Sequence, residues 1–216
     1  MSRWAPLTGV VFVALWIAAF TLLAGGPENP SDAEIVAYYA DDANRGQDAT
    51  SFFLIAAASL VFVGFLAVLR DRMARGVDRA GSLTTFAFGG GLAAATLWIV
   101  AGVFWMAIAY TENETTEFVL DPDTERLVSE MAYLLFVTGT YATIPVVLGT
   151  SVSALRTGVL PKWLGWLGVV VAVSLLGALG VFPFFLFLGW VLLLSVVFLA
   201  RTGEAAAQPG REVRVP

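Results

Sequence analysis

The chain has 216 residues, 58% of them hydrophobic and 13% charged, with a mean hydropathy of +0.81 and a formal net charge of −5. That composition excludes an ordinary soluble domain and points to a polytopic membrane protein, while the acidic balance argues against nucleic-acid binding through clustered Lys and Arg. Cysteine and histidine are both absent, which removes disulfides, thiolate metal sites and the commonest haem ligand, metal ligand and general base, so no cofactor and no metal is expected.

Six apolar runs reach the length of about 18 residues that crosses a roughly 30 Å hydrocarbon core as a helix. The first, 5–24, follows Arg3 and Trp4. It is longer than a signal-peptide core, and Leu22 ahead of Ala24 makes a poor cleavage site, so it reads as a retained span with Trp4 at the interface. Pro27 and Pro30 then break the helix. Ser31 and Glu34 have capping-box spacing, which predicts a short external amphipathic helix from Asp32 to Asn44. Ile35, Tyr38, Tyr39 and Ala43 would share its broad inner side, with Asp32, Asp41 and Asp42 toward water. Two readings stay open for it: an interfacial helix with tyrosines at headgroup depth, or an external contact for a ligand built from Tyr38, Tyr39, Asp41 and Arg45.

The second span, 49–69, runs into a turn with Arg70, Arg72, Arg75 and Arg79, a topology signal. The third, 82–110, contains Gly89, Gly90 and Gly91 followed by Ala93, Ala94 and Ala95, small residues that let a neighbouring helix approach closely. No strand precedes these glycines, so a phosphate-cradling loop does not fit. Thr111 to Arg126 is an acidic outer segment. Asp121 and Asp123 alternate as in a calcium loop, but Arg126 and Ala132 occupy the sixth and twelfth positions, where glycine and glutamate are required. The acids there suit a helix N-terminus instead.

The fourth span, 127–156, is the polar one: Thr138, Thr140, Tyr141, Thr143, Pro145, Thr150, Ser151 and Ser153 interrupt it. Thr138, Tyr141, Pro145 and Gly149 are spaced by three and four, which puts them on one helical face. That face, with Gly89 to Gly91, is the candidate packing seam or cavity wall, and the span reads as the central packing helix, kinked at Pro145. The fifth span, 163–180, starts with the interfacial Trp163 and Trp166. A tight hairpin at Val181 to Pro183 leads to the sixth, 184–200, and 201–216 reads as a disordered tail.

Charge fixes an orientation for this scheme. Ten of the twelve basic residues fall in the segments on one side, and only Arg45 and Arg126 fall on the other. The positive-inside rule therefore predicts a single six-helix domain with both termini in the cytoplasm. No ionisable residue lies within a predicted hydrocarbon core, which disfavours proton or sodium coupling. Ser59, Ser151, Ser153 and Ser174 have no basic partner to activate them, so their hydroxyls should bond the preceding turn, and no enzyme is expected.

Three strings, Leu160 to Gly168 (LPKWLGWLG), Glu34 to Asp41 (EIVAYYAD) and Phe86 to Gly91 (FAFGGG), resemble a family of polytopic bacterial membrane proteins of the domain-of-unknown-function type. The resemblance implies six spans and a bacterial inner membrane, and it transfers no catalytic residue. Two functions fit. The first is a non-enzymatic structural, regulatory or assembly component, whose partners are the lipid bilayer and a protein partner or second copy. The second is a facilitator for a neutral or apolar solute or lipid, which requires a cavity at the middle of the bundle.

Overall fold

The computed structural model describes residues 6–23, 29–74, 81–115, 117–158, 160–177 and 181–207, and among them every regular element is helical. The helices are α1 (Leu7–Leu23), α2 (Asp32–Ala40), α3 (Asp42–Ala74), α4 (Gly81–Glu114), α5 (Pro122–Tyr141), α6 (Ile144–Thr157), α7 (Lys162–Gly177) and α8 (Phe182–Ala207). Three of them, α3, α4 and α8, and the α5–α6 pair are long and apolar enough to cross a membrane; α1 and α7 are apolar but shorter.

Six helical legs, α1, α3, α4, α5–α6, α7 and α8, make antiparallel passes through the bundle and are arranged as a ring. Consecutive passes are neighbours, and the ring closes where α8 packs on both α7 and α1. Close approaches fix the sense of several pairs, Gly9, early in α1, lying against Phe65, late in α3, and against Ser195 of α8. Gly102, late in α4, faces Phe52 and Ile55, early in α3. Gly139, late in α5, faces Leu97 and Trp98 of α4, and Gly165, early in α7, faces Leu155 of α6. All described interhelical turns therefore fall at two ends, one carrying the acidic segments, the other carrying Arg70, Arg72, Arg156 and Lys162.

The middle of the ring is filled by aromatic side chains. Phe12, Trp16, Phe62, Trp98, Phe136, Phe184 and Phe187 are all essentially inaccessible, and they come from α1, α3, α4, α5 and α8. Their rings pack at typical aromatic separations: Phe12 on Phe62 at 4.7 Å, Trp16 on Phe184 at 4.8 Å, Phe136 on Phe184 at 5.0 Å. The fourth pass is thus one stave of the ring and not its central helix. Bulky rings from five helices occupy the centre, where a helix backbone was expected.

That pass is also two helices. Proline at position 145 cannot donate to Tyr141 and crowds its carbonyl, so the helix stops at Tyr141 and restarts at Ile144. The Thr143 amide and hydroxyl both donate to the Thr140 carbonyl, at 3.1 and 2.7 Å, and the ladder resumes with Val147 N–H to the Thr143 carbonyl. The break packs against the glycines of α4: a methyl on Gly90 would lie 2.6 Å from Pro145 Cβ and 2.8 Å from the Ala142 oxygen.

Helix α2 is shorter than the external helix expected over 32–44. Its capping box forms as expected, Glu34 N–H donating to Ser31 Oγ at 3.4 Å and Ser31 N–H to Glu34 Oε2 at 2.8 Å. It ends at Ala40 because Asp41 turns extended (φ −89°, ψ 119°) and its carboxylate accepts from the Ala43 amide, starting α3. Ala43 consequently belongs to α3 and is exposed, whereas Ile35 and Tyr39 are buried. At the other terminus α8 continues helical to Ala207, past the expected start of a disordered tail at 201; residues 208–216, and 178–180 of the expected fifth span, lie outside the described residues.

Candidate functional site

A cavity lies at the acidic end, where α2 folds back over α3, α4 and α5. Three groups of contacts hold α2 there. Ile35 and Tyr39 pack on Ile108 and Ala109 of α4. Arg126 of α5 donates to the Pro30 carbonyl at 3.2 Å and to Asp32 at 2.6 Å. Arg45 of α3 donates to the Tyr39 carbonyl, to Asp42 and, through Nε at 2.8 Å, to Asn113.

Beneath α2 is a cleft of about 370 Å³. One part of its lining is apolar, formed by Phe20, Leu23, Trp105, Phe136 and Val181. Phe136 and Phe20 are themselves part of the central aromatic cluster, so the cleft ends on the packed middle of the bundle. The other part is polar, formed by Tyr38, Tyr39, Asp48, Glu125, Ser129 and Tyr133.

The polar side chains form two carboxylate–hydroxyl sets. Tyr38 Oη donates to Asp48 Oδ1 at 3.1 Å. Ser129 Oγ donates to Glu125 Oε1 at 2.7 Å, and Tyr39 Oη approaches the same oxygen at 3.5 Å. Asp48 is only 7% exposed. At 1.5 Å per residue the 33-residue α3 is about 50 Å long. Its first two turns, Asp48 included, therefore project beyond the apolar stretch that starts at Ala49. Burial, the largest influence, pushes the Asp48 carboxyl up to about 6; the Tyr38 hydrogen bond opposes the rise and the Glu125 charge adds to it. Burial, then the charge of Asp48, raises both phenols well above their ordinary range, so Tyr38 and Tyr39 are donors at neutral pH.

Of the residues singled out from sequence, Tyr38 and Tyr39 line the cleft. Asp41 and Arg45 do not: Asp41 joins α2 to α3, and Arg45 ties α2 to α3 and α4. Gly90, Pro145 and Gly149 meet at the α4–α6 contact, where a methyl on Gly149 would sit 3.0 Å from Ala87 Cβ. Gly91 abuts Leu66, and Gly89 has nothing within 4 Å of an added methyl. Thr138 is exposed and donates to the Leu134 carbonyl at 2.7 Å, away from that contact, while Tyr141 packs half-buried on the core. The break at Ala142 and Thr143 rotates α6 relative to α5, which divides the expected common face.

No protein-family model, curated protein or solved structure matches this chain.

Sequence reasoning passed over Asp48, Glu125, Ser129, Trp105 and Tyr133. A usable signal was present in the i,i+4 spacing of Glu125 and Ser129, and in Asp48 standing one residue before an apolar run inside one continuous helix. The expected hydroxyl bonds to the preceding turn form at Ser59 and Ser174, to the carbonyls of Ile55 and Val171 at 2.8 and 2.7 Å, whereas buried Ser151 Oγ has no partner.

Proposed function

We propose that this chain is a six-pass protein of the bacterial inner membrane, both termini cytoplasmic, with a non-enzymatic regulatory or assembly role exercised by binding a small amphipathic molecule in the outer-side cleft. The observation that carries this reading is the cleft itself. It combines a polar, carboxylate-bearing rim with an aromatic floor in a volume typical of small-molecule sites, which run from about 300 to 1,000 Å³.

Several features support the membrane part. The exterior of the ring carries exposed Phe53, Leu60, Phe86, Leu134, Trp166, Val170 and Leu176, a surface that water would not tolerate and lipid would. The antiparallel order puts the described basic residues Arg70, Arg72, Arg156 and Lys162 at one end and the acidic segments at the other, which favours the basic end as cytoplasmic. The packed aromatic centre and the closed Gly90–Pro145 contact favour binding over passage, because a conduit needs space where these side chains meet.

The reading is tested by native mass spectrometry of the protein extracted in lipid nanodiscs without detergent. A non-covalent adduct on the wild type that is missing from Ser129→Trp, a substitution that fills the cleft, is the expected result. Identical spectra for the two, both without adduct, would remove the basis for a ligand-dependent role.

A further inference from the structure

Resting on the reading of the cleft as a ligand site, we infer that its ligand is an organic cation: an ammonium group joined to a hydrophobic body. The hydrogen-bonding inventory of the rim points there. Ionised carboxylates only accept, so the hydrogens shared with Asp48 and Glu125 belong to Tyr38, Tyr39 and Ser129, and those three hydroxyls turn their donors onto the acids. What these two sets leave toward the cavity is acceptor capacity: carboxylate oxygens and the lone pairs of Tyr38, Tyr39 and Ser129. A ligand that completes this site brings donors.

Charge leads to the same class. Among the described residues neither Asp48 nor Glu125 has an ion-pair partner; the two nearby guanidinium groups are held elsewhere, Arg45 by Asp42 and Asn113, Arg126 by Asp32 and Asp123. An anionic ligand would meet two carboxylates with no cation between them. A neutral ligand would bury Asp48 more deeply without compensating its charge, which is the costly arrangement for an ionised group. A cation relieves that burial.

The walls supply the rest. Tyr38 and Tyr39 stand edge to face with ring centroids 5.1 Å apart, and Trp105, Tyr133 and Phe20 complete an aromatic surround. Aromatic faces attract alkylammonium groups, most strongly where water is excluded. The hydrophobic body of the ligand then lies on Phe136 and Val181. The same chemistry is available from an ethanolamine lipid headgroup with its adjoining chain or from a free amphipathic amine arriving at the acidic face.

The test uses the full chain in phosphatidylglycerol nanodiscs and three probes: benzylammonium, its uncharged isostere ethylbenzene, and benzenesulfonate, each measured as saturable binding above empty discs. The expected result is saturable binding of the cation alone, weakened about tenfold or more by Asp48→Asn, abolished by Ser129→Trp and unchanged by Glu114→Gln, an exposed acid outside the cleft. Ethylbenzene binding as tightly as the cation, and blocked by Ser129→Trp, would overturn the cationic class while leaving the cleft a ligand site. Absence of saturable binding by any probe would overturn the inference outright. If Asp48→Asn fails to fold, the preference of the wild type among the three probes decides alone. Repeating the titration in discs containing phosphatidylethanolamine distinguishes the sources: a lower apparent affinity assigns the lipid headgroup, an unchanged one the free amine.

Discussion

Gly90 is the residue on which the closure of the α4–α6 contact depends, and Gly90→Ala measures that closure against Gly89→Ala one position away. An added methyl at 90 lies 2.6 Å from Pro145 Cβ, whereas ordinary contact begins at 3.4 Å, so the helices must separate by about 0.8 Å or Pro145 must shift. Neither partner yields easily: one is a ring locked in the backbone, the other is the Ala142 carbonyl at 2.8 Å. Overpacking of this kind costs about 1–3 kcal/mol. At 89 the methyl meets nothing within 4 Å, and both substitutions gain the same helix propensity of up to about 1 kcal/mol, which cancels in the comparison. For a chain of this length about 1 kcal/mol moves the melting temperature by roughly 2–4 °C, so Gly90→Ala should melt about 2–12 °C below Gly89→Ala. Circular dichroism of the two variants in one detergent reads this directly. Equal melting temperatures would mean that α4 and α6 do not touch at Gly90, and the argument for a closed middle would fail there.

Three other outcomes follow from the same geometry. Burial pushes the Asp48 carboxyl of the folded protein up to about 6, above the ordinary aspartate value, so the folded protein binds more protons in that interval and stability falls as pH rises through it. Between about pH 4.5 and 7 the melting temperature should drop with rising pH, and Asp48→Asn should flatten the curve; Glu34 and Asp121, whose pKa values are lowered, act in the opposite sense only below that window. Because the chain has no cysteine, single cysteines report sidedness: Val119→Cys, 85% exposed at the acidic end, should react with an impermeant maleimide on intact spheroplasts, and Ser82→Cys only after lysis. The reverse pattern would invert the orientation. Ser31→Ala removes one half of the capping box and should speed amide exchange in 32–40 by about fivefold to thirtyfold without altering α4; uniform change throughout the bundle would mean that α2 is not an independent element.

Much of the fold was legible because its signals are local. Apolar runs flanked by charge located the apolar helices, four of them, counting α5–α6 as one, long enough to cross a membrane, and Ser31 with Glu34 located the start of α2 to the residue. The break in the fourth pass was half legible: Pro145 announced an interruption, but the two-residue turn at Ala142 and Thr143 depends on hydroxyl bonding to Thr140 and on the shape of α4 opposite. The ring was not legible, since no periodicity tells whether six helices surround a central one or a cluster of side chains. The cleft was hidden for a related reason. Asp48, Glu125 and Tyr38 come from three helices, and 86 positions separate Tyr39 from its partner Glu125. Tyr38 and Tyr39 stood out because they sit on an amphipathic helix, whereas Asp48 and Glu125 look like solvated charge until α2 covers them.

The central claim is that the cleft under α2 holds a ligand in the living membrane. Ser129→Cys, the only thiol in the chain, places a reporter on its wall, and its rate of labelling by an impermeant maleimide can be compared in native membranes and after purification with exhaustive delipidation and dialysis. Slow labelling in native membranes that accelerates after stripping is the predicted result. Equal rates in the two states would show an empty cleft and contradict the account.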